Sequence, residues 1–471
     1  MRIKEKFKKA GYFWLPSLSE NKIPGTLTIV DGGEIELEIL GLFDENIERF
    51  NDTNDLIKII GCIEDHGPVT LEKCFFKKKG IPFDPISKSI ICVNRAFVGI
   101  AYVDQKDILF NDFQFSVEGI DEWVGISGIK VVENRQDRET IISYTPPSEI
   151  SLNLNNGMKL LITFHWSNPV LPSYKEAKIQ QKIYFKLTSD QALPTNNFIY
   201  VAHKITTLLC FALDRTVCID HVVLTSNEIQ YDIGHGIMIP VSILLYYASI
   251  PYVSKELRSD RYSMLFRFEQ IRDDAERIVN NWLDAYNEVD PALNLYFSMR
   301  TGAHKYLEGK FLALAQGLET YHRRTSNSTI MDESTFEELV KGIISQCPDD
   351  KKKWLSEKLK YGNEVNLRFR IKDIIEPFKE MLGSCQTRKR LIKDIVCTRN
   401  YLTHYNEDLK PEAVTGKELY YLCLKMEAIF QLHLLQILGF TKSEIQSVFD
   451  NSHELKQKLE SSSGQSRQID N

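Results

Sequence analysis

The sequence has no apolar run long enough to cross a bilayer. Its longest candidate, Val241 to Ile250, is short and stops at Pro251, so no membrane-spanning helix is expected. Close cysteine pairs are also missing. The nine cysteines are odd in number and contain no Cys-x-x-Cys, which argues against a disulfide framework and fits reduced thiols in the cytoplasm. Cys62, His66, Cys74 and Cys92 lack the paired spacing of a zinc finger and fall in or beside strand patterns, so no metal is expected. No Gly-Lys-Ser/Thr follows Gly125 and Gly128 or Gly234-His235-Gly236, which removes a phosphate loop and nucleotide hydrolysis; no cofactor is expected. Nor is there an excess of positive charge. The formal net charge of −6 excludes indiscriminate nucleic-acid binding by the whole surface but not a local patch. Met1-Arg2-Ile3-Lys4 opens a basic stretch that runs into Tyr12-Phe13-Trp14-Leu15-Pro16 rather than an apolar signal core, so export is not expected.

What is present is enough for two or three domains in 471 residues. From Gly25 to about Asn227 the chain reads as strands. Gly25–Val30 and Glu34–Ile39 alternate in polarity around Asp31-Gly32-Gly33, a hairpin signature. Alternation returns at Phe113–Val117, Lys159–His165 and Lys182–Leu187, which predicts a β-sandwich or barrel-like domain. Tyr12, Phe13, Trp14, Trp123 and Trp166 are read as core rather than a ligand groove. After about Ser254 the period becomes helical, over Met264–Tyr286, Ala303–Arg324, Ser334–Gln346, Ile371–Leu382, Thr387–Thr403 and Pro411–Leu438. Ser334 with Glu337 reads as a capping box, Pro411 as a first helical turn and Gly439 as a helix end. The expected architecture is α+β and multidomain: a β-rich, sandwich-like domain over 1–255, connecting helices over 256–300, a helical bundle over 301–440 and a polar tail over 441–471. Within that tail, Ser461 to Gln468 is expected to be disordered.

One segment can do chemistry. In Leu391 to His404 the apolar Leu391, Ile395 and Leu402 share a helix face, while Asn400 and His404, four apart, stack on another. Histidine titrates near neutrality and serves as general acid or base. Arginine keeps its charge and offers a fork of donors to phosphate oxygens, and asparagine can orient a substrate. Arg399, Asn400 and His404 therefore suit cleavage of RNA by its own 2′-hydroxyl, with no metal required. In an undistorted helix Arg399 points away from His404, so joint action needs a loosened last turn or a second subunit. Arg215 and His221 are a near-decoy beside a strand pattern, read as structural. From Lys351 to Lys393 thirteen Lys and Arg face five Asp and Glu, a local electrostatic footprint for a phosphate backbone; Arg388, Lys389, Arg390 and Lys393 are its candidate RNA contacts.

Arg399-Asn400-Tyr401-Leu402-Thr403-His404 resembles the Arg-polar-xxx-His signature of HEPN ribonucleases. The helix Phe311 to Arg323, the β-rich opening and Val69-Thr70-Leu71-Glu72-Lys73-Cys74 look like the ApeA group of bacterial anti-phage proteins. That resemblance implies an N-terminal β domain ahead of a HEPN domain, and an abortive-infection effector that is quiet until a phage-derived trigger releases it to cut host RNA such as tRNA. It also implies a homodimer in which Arg399 and His404 of two chains build one cleft. Leu419, Leu422, Met426, Ile429, Phe430, Leu434 and Ile437 offer an apolar surface either for such pairing or for burial within their own bundle. Glu319 and His322, on the matching helix, are secondary site candidates. The competing readings are a HEPN-like module that binds RNA or a partner without cutting, its β domain recognising a phage or cell ligand, and a carbohydrate- or peptide-binding β half on a helical scaffold.

Overall fold

The computed structural model describes residues 1–43, 55–80, 87–104, 106–169, 174–232, 234–254, 263–302 and 304–460. The expected disordered stretch Ser461 to Gln468, the boundary at 255 and 256 and the helix start at Ala303 lie outside them. The chain divides into two compact units, Met1–Leu283 and Asp284–Asn471.

In the first unit, six antiparallel strands close on themselves: β1 (Phe7–Trp14), β2 (Ile23–Ile29), β3 (Ile35–Leu40), β4 (Asp55–Ile63), β5 (Gly67–Lys78) and β6 (Lys88–Val98). β1 pairs with β2 and β4, β2 with β3, β3 with β6, and β6 with β5, which returns to β4. Of the two forms expected, the sheet takes the barrel. Alternation explains its filling: Leu27, Ile29, Leu37, Ile39, Leu71 and Ile91 point inward and are buried. The predicted β2–β3 hairpin is present, with Gly32 and Gly33 at φ 105° and 83°. A Cβ on Gly33 would meet the Tyr247 carbonyl oxygen at 2.1 Å, so that turn needs glycine twice over.

The sheet continues beyond the barrel through β7 (Leu109–Val117), the short α1 (Ile120–Val124), the separate hairpin β8 (Ile129–Asn134) and β9 (Glu139–Tyr144), then β10 (Ile150–Asn153), β11 (Lys159–Ser167) and β12 (Gln180–Pro194). After helix α2 (Thr195–Ala212) come β13 (Ile219–Thr225), the small hairpin β14 (Gln230–Asp232) and β15 (Met238–Pro240), and β16 (Ile243–Tyr247). The order from the barrel outward is β6-β16-β13-β7-β12-β11-β10. β6 feeds both parts, since Lys88–Val93 pairs with β3 and Arg95–Val98 with β16. α2 interrupts the stretch expected to be all strand. It lies against β7 and β12, with Phe198 stacked on Phe113 at 5.9 Å.

This unit also runs past the expected boundary at 255. α3 (Phe268–Ile271) and the start of α4 (Ala275–Arg300) belong to it. Trp282 is fully buried, stacks on Phe211 at 5.8 Å and donates its indole N–H to Lys204 O at 2.8 Å. Trp123, one of the aromatics read as core, donates to Phe266 O at 3.1 Å, whereas Tyr12 and Trp166 are exposed.

In the second unit, α4 kinks at Val289 (φ −120°) just ahead of Pro291, which removes a helical donor and crowds the preceding turn. There follow α5 (Leu307–Thr325), α6 (Glu333–Ser345), α7 (Asp349–Leu359), α8 (Leu367–Ile375), α9 (Cys385–His404), α10 (Gly416–Ile437), α11 (Lys442–Asn451) and α12 (His453–Glu460). α10 is the axle. Leu419, Leu422, Met426, Ile429, Phe430 and Leu434, expected to offer a pairing surface, are buried within the fold, Phe430 lying 5.0 Å from Tyr296 and 6.2 Å from Tyr321. Ile437, the last residue of that stripe, is half-buried, and the rest is core of its own unit.

Three local expectations are corrected. The α6 cap is Asp332, which accepts from Ser334 N at 3.2 Å, so Ser334 lies inside the helix. Pro411 sits within a 3-10 turn, Glu407–Glu412, ahead of α10. The polar tail drawn from 441 carries α11, opened by a Thr441–Glu444 capping box, and α12, which bury Ile445, Val448, Leu455 and Leu459. Gly439, at φ 88°, ends α10 as expected.

Candidate active site

α9 is anchored along its length. Ser384 caps its start by accepting from Thr387 N at 3.2 Å, and Leu391, Ile392, Ile395, Thr398 and Leu402 are buried. Thr398 Oγ1 accepts from Val414 N at 2.9 Å, tying the returning chain to the helix. The helix stays regular through His404, and Tyr405, at φ 49°, closes it by donating to Tyr401 O at 2.6 Å. The last turn is therefore not loosened. Arg399 and His404 lie five positions apart on regular helix, which sets them roughly 140° apart around the axis.

Arg399 is half-buried and faces α5. Its Nη2 lies 3.3 Å from Glu319 Oε2, and its Nη1 donates to Asn400 Oδ1 at 3.4 Å. His404 is exposed, and among the described residues nothing hydrogen-bonds its ring. The structure thus brings Arg399, Asn400 and Glu319 together and leaves His404 on another face.

Glu319 starts a chain of charge that spacing alone did not reveal. Its Oε1 takes Arg323 Nη2 at 3.2 Å, and Arg323 in turn pairs with Glu364. Glu364 Oε2 lies 3.3 Å from Arg370 Nη2, Arg370 Nη1 lies 3.2 Å from His322 Nδ1, and His322 Nε2 lies 2.9 Å from Asp373 Oδ2. A guanidinium cannot accept, so His322 Nδ1 accepts from Arg370 and Nε2–H donates to Asp373. That fixes the tautomer of a ring only 3% exposed. His322 is therefore a strut of the network, out of reach of substrate, which corrects its place among the site candidates. Burial first, and then Arg323, lower Arg370 below the usual arginine value. Burial would also lower Arg323, but Glu364 and Glu319 outweigh it and raise the group. Glu319–Arg323 and Glu364–Arg370 are local, but the contacts that join them into one network span 41 to 80 residues, so no local pattern could have tied Glu364, Arg370 or Asp373 to the site.

The four basic candidates separate. Arg388 donates to the carbonyls of Lys379, at 3.0 Å, and Gly383, closing the loop before α9. Both bonds come from Nη1. Arg390 lies 3.6 Å from Asp394, and Lys393 lies 3.4 Å from Glu412. Lys389 is exposed. Arg390 and Asp394 line a groove of about 480 Å³ between α9 and α10, together with Glu418, Tyr421 and Lys425. Burial raises Asp394 and lowers Lys425. Lys393 and His404 share a face of α9, with His404 roughly 16 Å further along the axis. Tyr405, 64% exposed, adds a ring beside His404 that the sequence did not mark as functional.

Another histidine, His433, is structural. It packs against Tyr321 and Phe378 at 4.8 and 4.9 Å, and its Nε2–H donates to Ile374 O at 2.8 Å. Burial lowers its pKa from 6.5 to about 4. In that window the unfolded chain binds the extra proton, so stability present above pH 6.5 is lost as pH falls towards 4. The loss from this residue is expected to be about 3 kcal/mol. Urea unfolding at pH 7 and pH 4.5 checks it: His433→Gln, which can still donate to Ile374 O, should flatten the dependence, and an unchanged slope refutes the assignment.

Among the described residues no group of three or more His, Cys, Asp or Glu is arranged to hold a metal, and no helix is long and apolar enough to cross a membrane. Cys74 is packed in the barrel and Cys62 is exposed, on different strands. No curated protein and no solved structure matches the chain. Two family models do: ApeA N-terminal domain 1 over residues 8–282 and Apea-like HEPN over residues 312–444. The first spans more than half of the sequence and nearly all of the β-rich unit, while the second encloses Glu319, His322, Arg399, Asn400 and His404. The chain belongs to the ApeA family, with a β-rich ApeA N-terminal domain followed by an Apea-like HEPN domain.

Proposed function

We propose that the protein is an anti-phage effector whose HEPN domain cleaves RNA without a metal. The observation that carries this reading is the presence, on separate faces of one helix, of an exposed His404 and a half-buried Arg399 held by a single carboxylate. In the reaction a ribose 2′-oxygen attacks the adjacent phosphorus and the bond to the 5′-oxygen breaks, leaving a 2′,3′-cyclic phosphate and a 5′-hydroxyl. His404 takes the 2′ proton or gives one to the leaving oxygen. Arg399 steadies the charge that builds on the phosphate, and Asn400 orients it. Because α9 keeps Arg399 and His404 apart, one cleft draws the two from two copies of the chain. Host RNA, with tRNA as one candidate, is the substrate, and a phage-derived signal acting through the β-rich domain releases the activity in the cytoplasm.

Glu319 acts as a restraint that an incoming phosphate displaces from Arg399. Glu319→Gln keeps the shape and removes the charge, and is expected to tighten RNA binding by about fivefold, the worth of one partly exposed ion pair. Filter binding in a His404→Ala background reads this directly; weaker binding would show that Glu319 positions Arg399 for substrate instead.

The reading as a whole is tested by gel analysis of total RNA from phage-challenged cells, wild type beside His404→Ala. Fragments confined to the wild type support it. If both chains protect equally and neither cuts, the domain binds RNA or a partner without cleaving.

A further inference from the structure

The β-rich unit contains a cavity of about 650 Å³ between the bend of β5 and β6, the outer face of α2 and the chain after β16. Among the described residues no aspartate or glutamate lines it, while Lys73 and Arg95 do. Lys73 sits in the middle of β5 at φ 54°, left-handed backbone that a lysine adopts only when its surroundings impose it. It is skipped in the β5–β6 register, where Glu72 faces Arg95 and Cys74 faces Val93. Asn94 opposite is skipped as well, so the register does not shift there; the inward side chains change phase instead, from Val69 and Leu71 to Cys74, and Lys73 leaves the alternation.

Arg95 is half-buried, donates to Asn196 Oδ1, and has no carboxylate within ion-pairing distance among the described residues. Its cross-strand neighbour Glu72 is turned to Lys58 at 3.5 Å. Burial lowers the Arg95 pKa, as expected of a guanidinium lacking a counter-anion. Ser249, which also lines the cavity, has a buried hydroxyl with no partner among the described residues. Two cations, the amides of Asn94 and Asn196, an orphan hydroxyl and the ring of Tyr200, 55% exposed, converge on one space. That is the composition of a small-ligand site with a few placed polar groups.

We propose that this cavity binds a nucleotide, its phosphate on Arg95 and Lys73 and its base against Tyr200 and the two amides. The site is separate from the α9 chemistry and stands or falls independently of it. Calorimetric titration of the full chain with AMP, GMP, CMP and UMP, beside inorganic phosphate and adenosine, tests it. At least one monophosphate should bind, and more tightly than phosphate or adenosine alone. Arg95→Gln should weaken it by roughly 10- to 100-fold, the worth of a charge-assisted hydrogen bond. Lys73→Gly, which relieves the left-handed backbone and so should fold, should also weaken it, while Arg399→Ala should leave it intact. No binding at millimolar concentration, unchanged binding in both cavity variants, equal binding of inorganic phosphate, or loss in Arg399→Ala would each overturn the proposal.

Discussion

His404→Ala is expected to lower RNA cleavage by roughly 10²- to 10⁴-fold, the usual range for a lost acid–base group. Arg399→Ala should cost about 10²- to 10³-fold, by analogy with the loss of a charge-stabilising donor. Both side chains lie off the buried stripe of α9, so thermal unfolding of the variants should match the wild type. Mixing the two inactive chains makes the sharper test. If a cleft takes Arg399 from one copy and His404 from the other, each mixed dimer regains one intact site. Equal mixtures should then recover about a quarter of wild-type activity. No recovery in chains that do exchange partners would place both residues in one copy and sink the composite cleft. Residual cutting at wild-type rate by either single variant would remove that residue from the chemistry.

Glu364→Ala should destabilise the helical unit by about 3 kcal/mol, a typical cost of stripping a buried charge of its partner. Glu364 is the carboxylate shared by Arg323 and Arg370. Arg370 is only 4% exposed, and its Nε already lacks a hydrogen-bond partner. Without Glu364, Arg370 keeps, among the described residues, one side-chain hydrogen bond, to His322 Nδ1, beside the like charge of Arg323. A melting temperature lowered by roughly 6–12 °C is expected for a unit of this size. Glu364→Gln, which preserves the hydrogen-bond acceptor, should recover part of the loss. A shift under one degree in Glu364→Ala would mean that water already satisfies Arg370.

The parts of the fold that were legible are those with one buried face. The β2–β3 hairpin and α9 show their period because alternate or every third and fourth residue meets the core. α2 escaped because Val201, Ile205, Thr206, Thr207 and Phe211 are residues that also favour strands, in a stretch flanked by strands. The apolar stripe of α10 was visible, but an apolar residue does not name its partner, and here the partners are Tyr296 and Tyr321 of the same unit. At the site, Arg399, Asn400 and His404 could be read from a short motif. The role of His322 could not, because Asp373 and Arg370 reach it from far along the chain. The contacts of Arg388 were hidden for a related reason: charge suggests a phosphate, while the loop carbonyls that its Nη1 reaches leave no mark in composition.

β6 is bonded along both edges, to β5 on one side and to β3 and then β16 on the other. Lys88–Val93 is held within the ring and Arg95–Val98 is held by the leaf as well, so the strand acts as a spine that joins two differently shaped halves. An unfolded barrel beside an intact open leaf would therefore be a scarce species in this domain.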